Sequence, residues 1–272
     1  MAHIECSFYS QALKKNTKCI VFIPTVSADD YLNETGRVYF DAATRFQTLY
    51  LLHGSYGNCT DWPLFSNIER YAQDACLAVV MPSVENSAYQ DIRGGAAYGT
   101  FCSEELPVFL QTIFPLARRR ENLFVAGLSM GGYGAMTLSF RNPQRFSRCA
   151  VISGCVDFYT LMHGTMNYAR KLPPAYKSLL FEGRMGKDVF DLERQLQDTR
   201  SRIGELPRYY FNSGSDDPFR TEVMTFAGKL AAAGCSVEKM TAPGAHTWDY
   251  WDTHITDVLQ WLPLAGRCVV ES

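Results

Sequence analysis

The sequence predicts an α/β protein: a mostly parallel central sheet with helices on both faces, in a single domain over residues 1–272 with a cap insertion at about 156–205. Three observations predict it. From about residue 46, short apolar runs alternate with segments of helical period. Those runs are apolar throughout, as strands buried on both faces are. Residues 127–135, GLSMGGYGA, join one such run to a helix through a turn crowded with glycine.

The elements follow in chain order. IECSFYS alternates polar and apolar residues, and KCIVFIP is β-branched up to Pro24, so both read as strands. VSADDYLNETG reads as a loop. RFQTLYLLHG is an apolar run broken at Gly54, and LAVVMPS is another, stopped by proline. Leu106, Phe109, Leu110, Ile113 and Leu116 recur at helical spacing over 102–118, with Pro107 early enough to be tolerated. The RRR run at 118–120 is expected to cap the C-terminus of that helix. NLFVAGLS is a strand, GGYGAMTLSFRNP a helix, FSRCAVISG a strand. The stretch 156–205 breaks the rhythm. It is rich in Tyr, Met and Leu, too apolar for disorder, and is expected to cover a site. RYYFNSGSDD and CSVEKMTAPGAH then read as strands around the helix FRTEVMTFAGKLAAAG, and WDYWDTHITDVLQWLP closes the domain as a helix.

Composition narrows the function. Hydrophobic residues make up 47% and charged residues 20%, and the net charge is −2, so nothing marks a nucleic-acid surface. No apolar stretch is long enough to span a membrane. The nine cysteines are odd in number and form no C-x-x-C pair, and the N-terminus lacks the basic start and apolar core of a signal peptide. These features point to a cytoplasmic protein with reduced thiols.

The chemistry centres on Ser129. It sits in G-x-S-x-G between a strand and a helix, the context that turns a weak pattern into a specific one. Such a sharp turn strains the serine backbone and packs chain against the flanking glycines, while lifting the hydroxyl to the N-terminus of the helix. A serine hydroxyl needs a base. Of the five histidines, only His246 follows a strand end after Ser129 in chain order. His53 reads as structural, His3 lies too early, His163 falls in the cap and His254 inside the last helix. The acid belongs between serine and base at another strand end, where Asp216 and Asp217 both qualify, while Asp157 lies one strand too early. The oxyanion donors are expected at the N–H groups of Met130, directly after the nucleophile, and of Ser55 in LLHGSYGN.

Together, YLLHGSYGNCTDW, VVMPS, EELPVFLQTIFP, AGLSMGGYGAM, FSRCAVISG and GAHTWDYW resemble the esterase D-type branch of the α/β-hydrolases over residues 5–262. The resemblance is strongest to the tributyrin esterases, with S-formylglutathione hydrolases and feruloyl and acetylxylan esterases as relatives. It implies the α/β-hydrolase fold, Ser129 as nucleophile, His246 as base and Asp217 as acid, with Ser55 and Met130 at the oxyanion. It also implies short-chain acyl ester hydrolysis without cofactor or metal, on a small-molecule ester, in a family where homo-oligomers are common. The S-formylglutathione hydrolases carry a cysteine nearer the H-G pair than Cys59, which places that thioesterase reading second. Feruloyl or acetyl esters of sugars are a further alternative, and a binding protein or acyltransferase on the same fold is a third class. An apolar cap predicts a preference between acetate and butyrate that falls off by octanoate.

Overall fold

A computed structural model describes residues 1–33, 44–157 and 187–271. Its main sheet has eight strands in the order β1-β2-β5-β4-β6-β7-β8-β9. These are β1 (Ala2–Ser10), β2 (Lys15–Ile23), β4 (Thr48–Leu52), β5 (Ala78–Pro82), β6 (Leu123–Leu128), β7 (Arg148–Ile152), β8 (Arg208–Gly214) and β9 (Val237–Ala242). β1 pairs antiparallel with β2, and β2 antiparallel with β5. From β5 to β9 every pairing is parallel. Two short strands, β3 (Thr44–Arg45) and β10 (Val269–Val270), pair separately.

Alternation explains how the sheet holds helices on both faces. Along β6, Leu123 and Val125 join the core on one face, while Phe124, Ala126 and Leu128 join the core on the other. Eight helices are used below: α1 (Ala28–Leu32), α2 (Asp61–Phe65), α3 (Ile68–Asp74), α4 (Leu106–Ile113), α5 (Met130–Arg141), α6 (Leu192–Asp198), α7 (Arg220–Ala232) and α8 (Trp248–Trp261). α4, α5 and α7 pack on the first face through residues such as Leu110, Tyr133 and Phe226. α2, α3 and α8 cover the second through Trp62, Ile68 and Ile255. The central strands are fully buried, whereas β9 is an edge strand with four consecutive exposed residues. Its Glu238 and Lys239 put charge on that edge, which discourages pairing with another chain.

Two sequence expectations need correction. The loop over 26–36 contains α1, because Ser27 and Asp30 form a reciprocal capping box. The helix expected over 102–118 is shorter: a π turn over Phe101–Glu105 leads into α4, which ends at Ile113. Pro115 drives Phe114 into an extended conformation (φ −116°, ψ 156°) and stops the helix there. Even so, the arginine run caps it as expected: the Arg118 guanidinium donates to Gln111 O in the last turn of α4 at 3.2 Å. The N–H groups of Arg118 and Arg119 donate to the Glu271 carboxylate, and the Arg120 guanidinium donates to the carbonyls of Pro143 and Glu205.

Residues 158–186 of the expected cap, with His163, lie outside the described residues. Its described flank is helical. Asp191 caps α6 by accepting the Arg194 N–H, and α6 buries Leu192 and Leu196. Gln195 of α6 meets Thr137 of α5 at 3.0 Å, so this flank rests on the helix that begins at the serine turn.

Candidate active site

Four loops at the C-terminal ends of parallel strands build the site. The first joins β6 to α5 and holds Ser129 at φ 53°, ψ −119°, a left-handed conformation that non-glycine residues adopt only under constraint. The constraint is visible on both sides. The Ser129 N–H donates to Ile152 O at 3.1 Å, and its carbonyl accepts from Tyr133 and Cys155. A Cβ on Gly127 would overlap the Gly131 carbonyl, and one on Gly131 would stand 2.5 Å from Leu52 O and 2.7 Å from His53 O. The glycines are there because backbone meets backbone.

The second loop follows β4. Gly54 lies against the serine: an added Cβ would come within 3.5 Å of Ser129 Cβ. Gly57 N–H turns back to Gly54 O, and Ser55 sits within that turn with its own N–H unpaired among the described residues. Met130 opens α5, where a first-turn N–H has no intrahelical acceptor. Both expected oxyanion donors thus border Ser129 with their amides uncommitted. Trp62 fastens the loop from behind, its indole N–H donating to Leu52 O at 3.2 Å.

His53 belongs to this loop and is fully buried. Its Nδ1–H donates to Gly54 O at 2.7 Å, and its Nε2 accepts the Val84 N–H at 3.1 Å. That pattern requires the neutral ring, and burial pushes its pKa down to about 4 despite the bond to Gly54. His53 ties the ends of β4 and β5 together, a structural task.

Asp217 and His246 come from the loops after β8 and β9. His246 lies between Asp217 and the serine: its Nε2 is 3.0 Å from Ser129 Oγ, and its Nδ1 is 3.0 Å from Asp217 Oδ2. The Asp217 side chain is completely shielded from solvent, and its Oδ1 accepts the Phe219 N–H at 2.9 Å. Burial alone would raise its pKa, but the hydrogen bond and charge of His246, with the Phe219 amide, outweigh burial and hold the carboxyl below its ordinary value. Asp216 points elsewhere: it is exposed, and its N–H donates to Gly244 O at 2.9 Å. That bond, with Ser215 N–H to Ala242 O, links the acid loop to the histidine loop. Phe219 and Trp251 meet the His246 ring edge-on, at 5.0 and 4.9 Å between centroids.

Of the remaining histidines, His3 faces Glu69 from β1 and His254 pairs with Asp257 on α8, both away from this cluster. Asp157 is exposed. A cavity of about 400 Å³ opens onto Ser129 and His246. Its walls include Trp248 and Trp251, from the first turn of α8, and Asp61, from the start of α2. Sequence reasoning missed these three. The tryptophans were legible only as part of the closing helix and of the GAHTWDYW block, and Asp61 only as a residue of the YLLHGSYGNCTDW block.

The arrangement can take a proton from a hydroxyl, hold the resulting imidazolium against a buried carboxylate, and offer two amides to a developing oxyanion. The family described as "Putative esterase" matches residues 10–262. The chain belongs to this esterase family. A curated relative named acetyl esterase, from Caldicellulosiruptor saccharolyticus, is 30% identical over an alignment covering 96% of this chain and 98% of the relative. Among solved structures, the S-formylglutathione hydrolase of Staphylococcus aureus superposes with a TM-score of 0.78 at 25% identity, covering 96% of this chain and 98% of that one. A fluorophosphonate-binding serine hydrolase from the same organism superposes at 0.83 with 24% identity over the same shares, and shows the fold. The esterase is thus a carboxylic ester hydrolase of the α/β-hydrolase fold acting on small-molecule esters. Among the described residues no helix is long and apolar enough to cross a membrane.

Proposed function

We propose that the protein is a serine carboxylesterase for short-chain acyl esters, with Ser129 as nucleophile, His246 as general base and acid, and Asp217 as the carboxylate that orients His246. One observation carries the reading: a single imidazole lies 3.0 Å from both the Ser129 hydroxyl and the Asp217 carboxylate.

The steps follow from that geometry. Ser129 Oγ attacks the ester carbonyl as its proton passes to His246 Nε2. Asp217 stabilises the imidazolium through Nδ1–H and stays ionised, as its lowered pKa favours. The tetrahedral oxyanion accepts the N–H groups of Ser55 and Met130. His246 then returns the proton to the leaving alcohol, and an acyl-Ser129 ester remains. Water, deprotonated by the same Nε2, attacks that ester, and the carboxylic acid departs as Ser129 regains its proton. No metal or cofactor takes part in these steps.

The acyl group is small. The name of the 30% identical relative, acetyl esterase, supports acetate or its near homologues, as does the modest cavity beside Ser129. A cytoplasmic location is supported by the cysteines, which stand as thiols, Cys76 and Cys268 among them with sulfurs in contact at 4.0 Å.

Labelling tests the assignment. An alkyl fluorophosphonate should attach to a single residue, mapped by peptide mass spectrometry to Ser129, in parallel with loss of p-nitrophenyl acetate turnover. Labelling at any other residue, or full turnover after complete labelling, sinks the nucleophile.

A further inference from the structure

Asp61 has no part in the chemistry above, yet it lines the same cavity as Ser129 and His246. Its carboxylate lies over Gly57, where an added Cβ would overlap Oδ2. Oδ1 accepts the Asn58 N–H at 3.1 Å, and Oδ2 has no donor among the described residues. Burial pushes its pKa up and the Asn58 amide pulls it back. The plain structural task, closing the turn after Asn58, needs only an amide-type oxygen, and asparagine would supply that. Beyond its place in the first turn of α2, the negative charge has no cationic partner among the described residues.

The surroundings give the charge a use. Among the described residues, no lysine or arginine lines the cavity. Trp248 and Trp251 stand nearly perpendicular, 83° apart with centroids 5.2 Å from each other, and form an indole corner that lines the cavity. Trp62 fixes Trp248 from behind by an edge contact at 5.3 Å. Indole faces attract organic cations, and a nearby carboxylate adds to that attraction while repelling anions.

Building on the esterase reading above, we infer that Asp61, with Trp248 and Trp251, makes the site select esters by charge. Esters that carry a quaternary or protonated amine beside the scissile bond are preferred over neutral ones of equal shape, and esters that carry a carboxylate are rejected. Asp61 is a specificity residue here. It touches the bound substrate and leaves the proton transfers to His246.

The test compares esters matched in shape. Acetylcholine is set against its neutral carbon isostere, 3,3-dimethylbutyl acetate, and p-nitrophenyl butyrate against p-nitrophenyl hemisuccinate, with wild type and Asp61→Asn. Ratios of kcat/KM within one enzyme cancel any general effect of the substitution. In wild type at low salt the cationic ester should exceed its isostere by about tenfold, the scale of one partly solvated charge pair with a cation–π contribution. The ratio should fall as salt is raised and as acid protonates the carboxyl. In Asp61→Asn it should drop to about twofold, and the penalty on the hemisuccinate should shrink. Equal ratios in the two enzymes, or a wild-type preference for the neutral isostere, overturn the inference. Should Asp61→Asn fail to fold, a wild-type ratio unchanged by salt overturns it alone. Turnover of neither neutral ester by wild type counts against the esterase reading itself, which separates the two failures.

Discussion

The serine turn and the histidine loop face each other across 3.0 Å, yet they are held by different means. Ser129 projects from the centre of the sheet, where β6 is buried along its whole length and the surrounding contacts are backbone on backbone. His246 projects from the exposed edge, four residues beyond β9, and is aligned by side chains: the Asp217 carboxylate on Nδ1 and two aromatic edges on the ring. The lesson is that one half of the site is made by excluding side chains and the other by adding them. The turn tolerates almost no change in volume. The histidine loop depends on particular functional groups.

Four substitutions or conditions break or sharpen that contrast. The largest effect belongs to Ser129→Ala, which removes the proposed nucleophile and leaves the packing intact. It should lower kcat on p-nitrophenyl acetate by about 10⁵-fold or more with the melting temperature nearly unchanged. Loss of fold in this variant would show that the hydroxyl also has a structural task. Next comes Asp217→Asn, expected to cost on the order of 10⁴ in kcat because the amide favours the wrong imidazole tautomer. Asp216→Asn, one residue away and exposed, should stay within about twofold, as surface changes do. The reverse ranking would move the acid.

The third concerns His53 and pH. Its folded pKa of about 4 lies below the ordinary 6.5, so above pH 6.5 neither state is protonated and its stabilising effect is complete. Between pH 6.5 and 4 the unfolded chain binds a proton that the folded protein does not, and stability falls with pH by on the order of 3 kcal/mol in all. Urea midpoints at pH 7.5 and 4.5 measure it. A midpoint that holds steady as acid is added shows that His53 takes up its proton without leaving its place. The fourth is Gly131→Ala, whose new Cβ would press on Leu52 O and His53 O and cost about 3 kcal/mol. Gly204→Ala meets open space and should cost under about 0.5 kcal/mol. Equal denaturation midpoints for the two would remove the steric account of the serine turn.

The sequence was most legible where local chemistry has few solutions. A strand, G-x-S-x-G and a helix admit one geometry, and His246 was the one histidine at a suitable strand end. From the residues alone Asp217 was legible only as one of two adjacent carboxylates, and the resemblance to the esterase D-type branch chose it. The physical ground for that choice is a tertiary contact, the 3.0 Å approach of Asp217 Oδ2 to His246 Nδ1. α1 was missed because a five-residue helix has little periodicity and rests on its Ser27 capping box. α4 was overextended because Leu116 keeps the helical spacing, although it pairs with Phe46 as an extended residue. Asp61 was invisible as a cavity residue. Its neighbours there, Trp248 and Ser129, lie far away along the chain.

The parallel arrangement also divides the molecule into two ends. Among the described residues, each loop that bears on Ser129 leaves the C-terminal end of a strand, and the turns that enter the strands lie at the other end. The turn from α7 into β9 is one of these, with exposed Gly234 at φ 103°. β9 runs for six residues between that turn and the histidine loop, a span of about 20 Å. A tether or a grafted peptide placed at Gly234 would therefore hang the enzyme from a support with its cavity facing outward, and immobilisation there would leave the approach of substrate unobstructed.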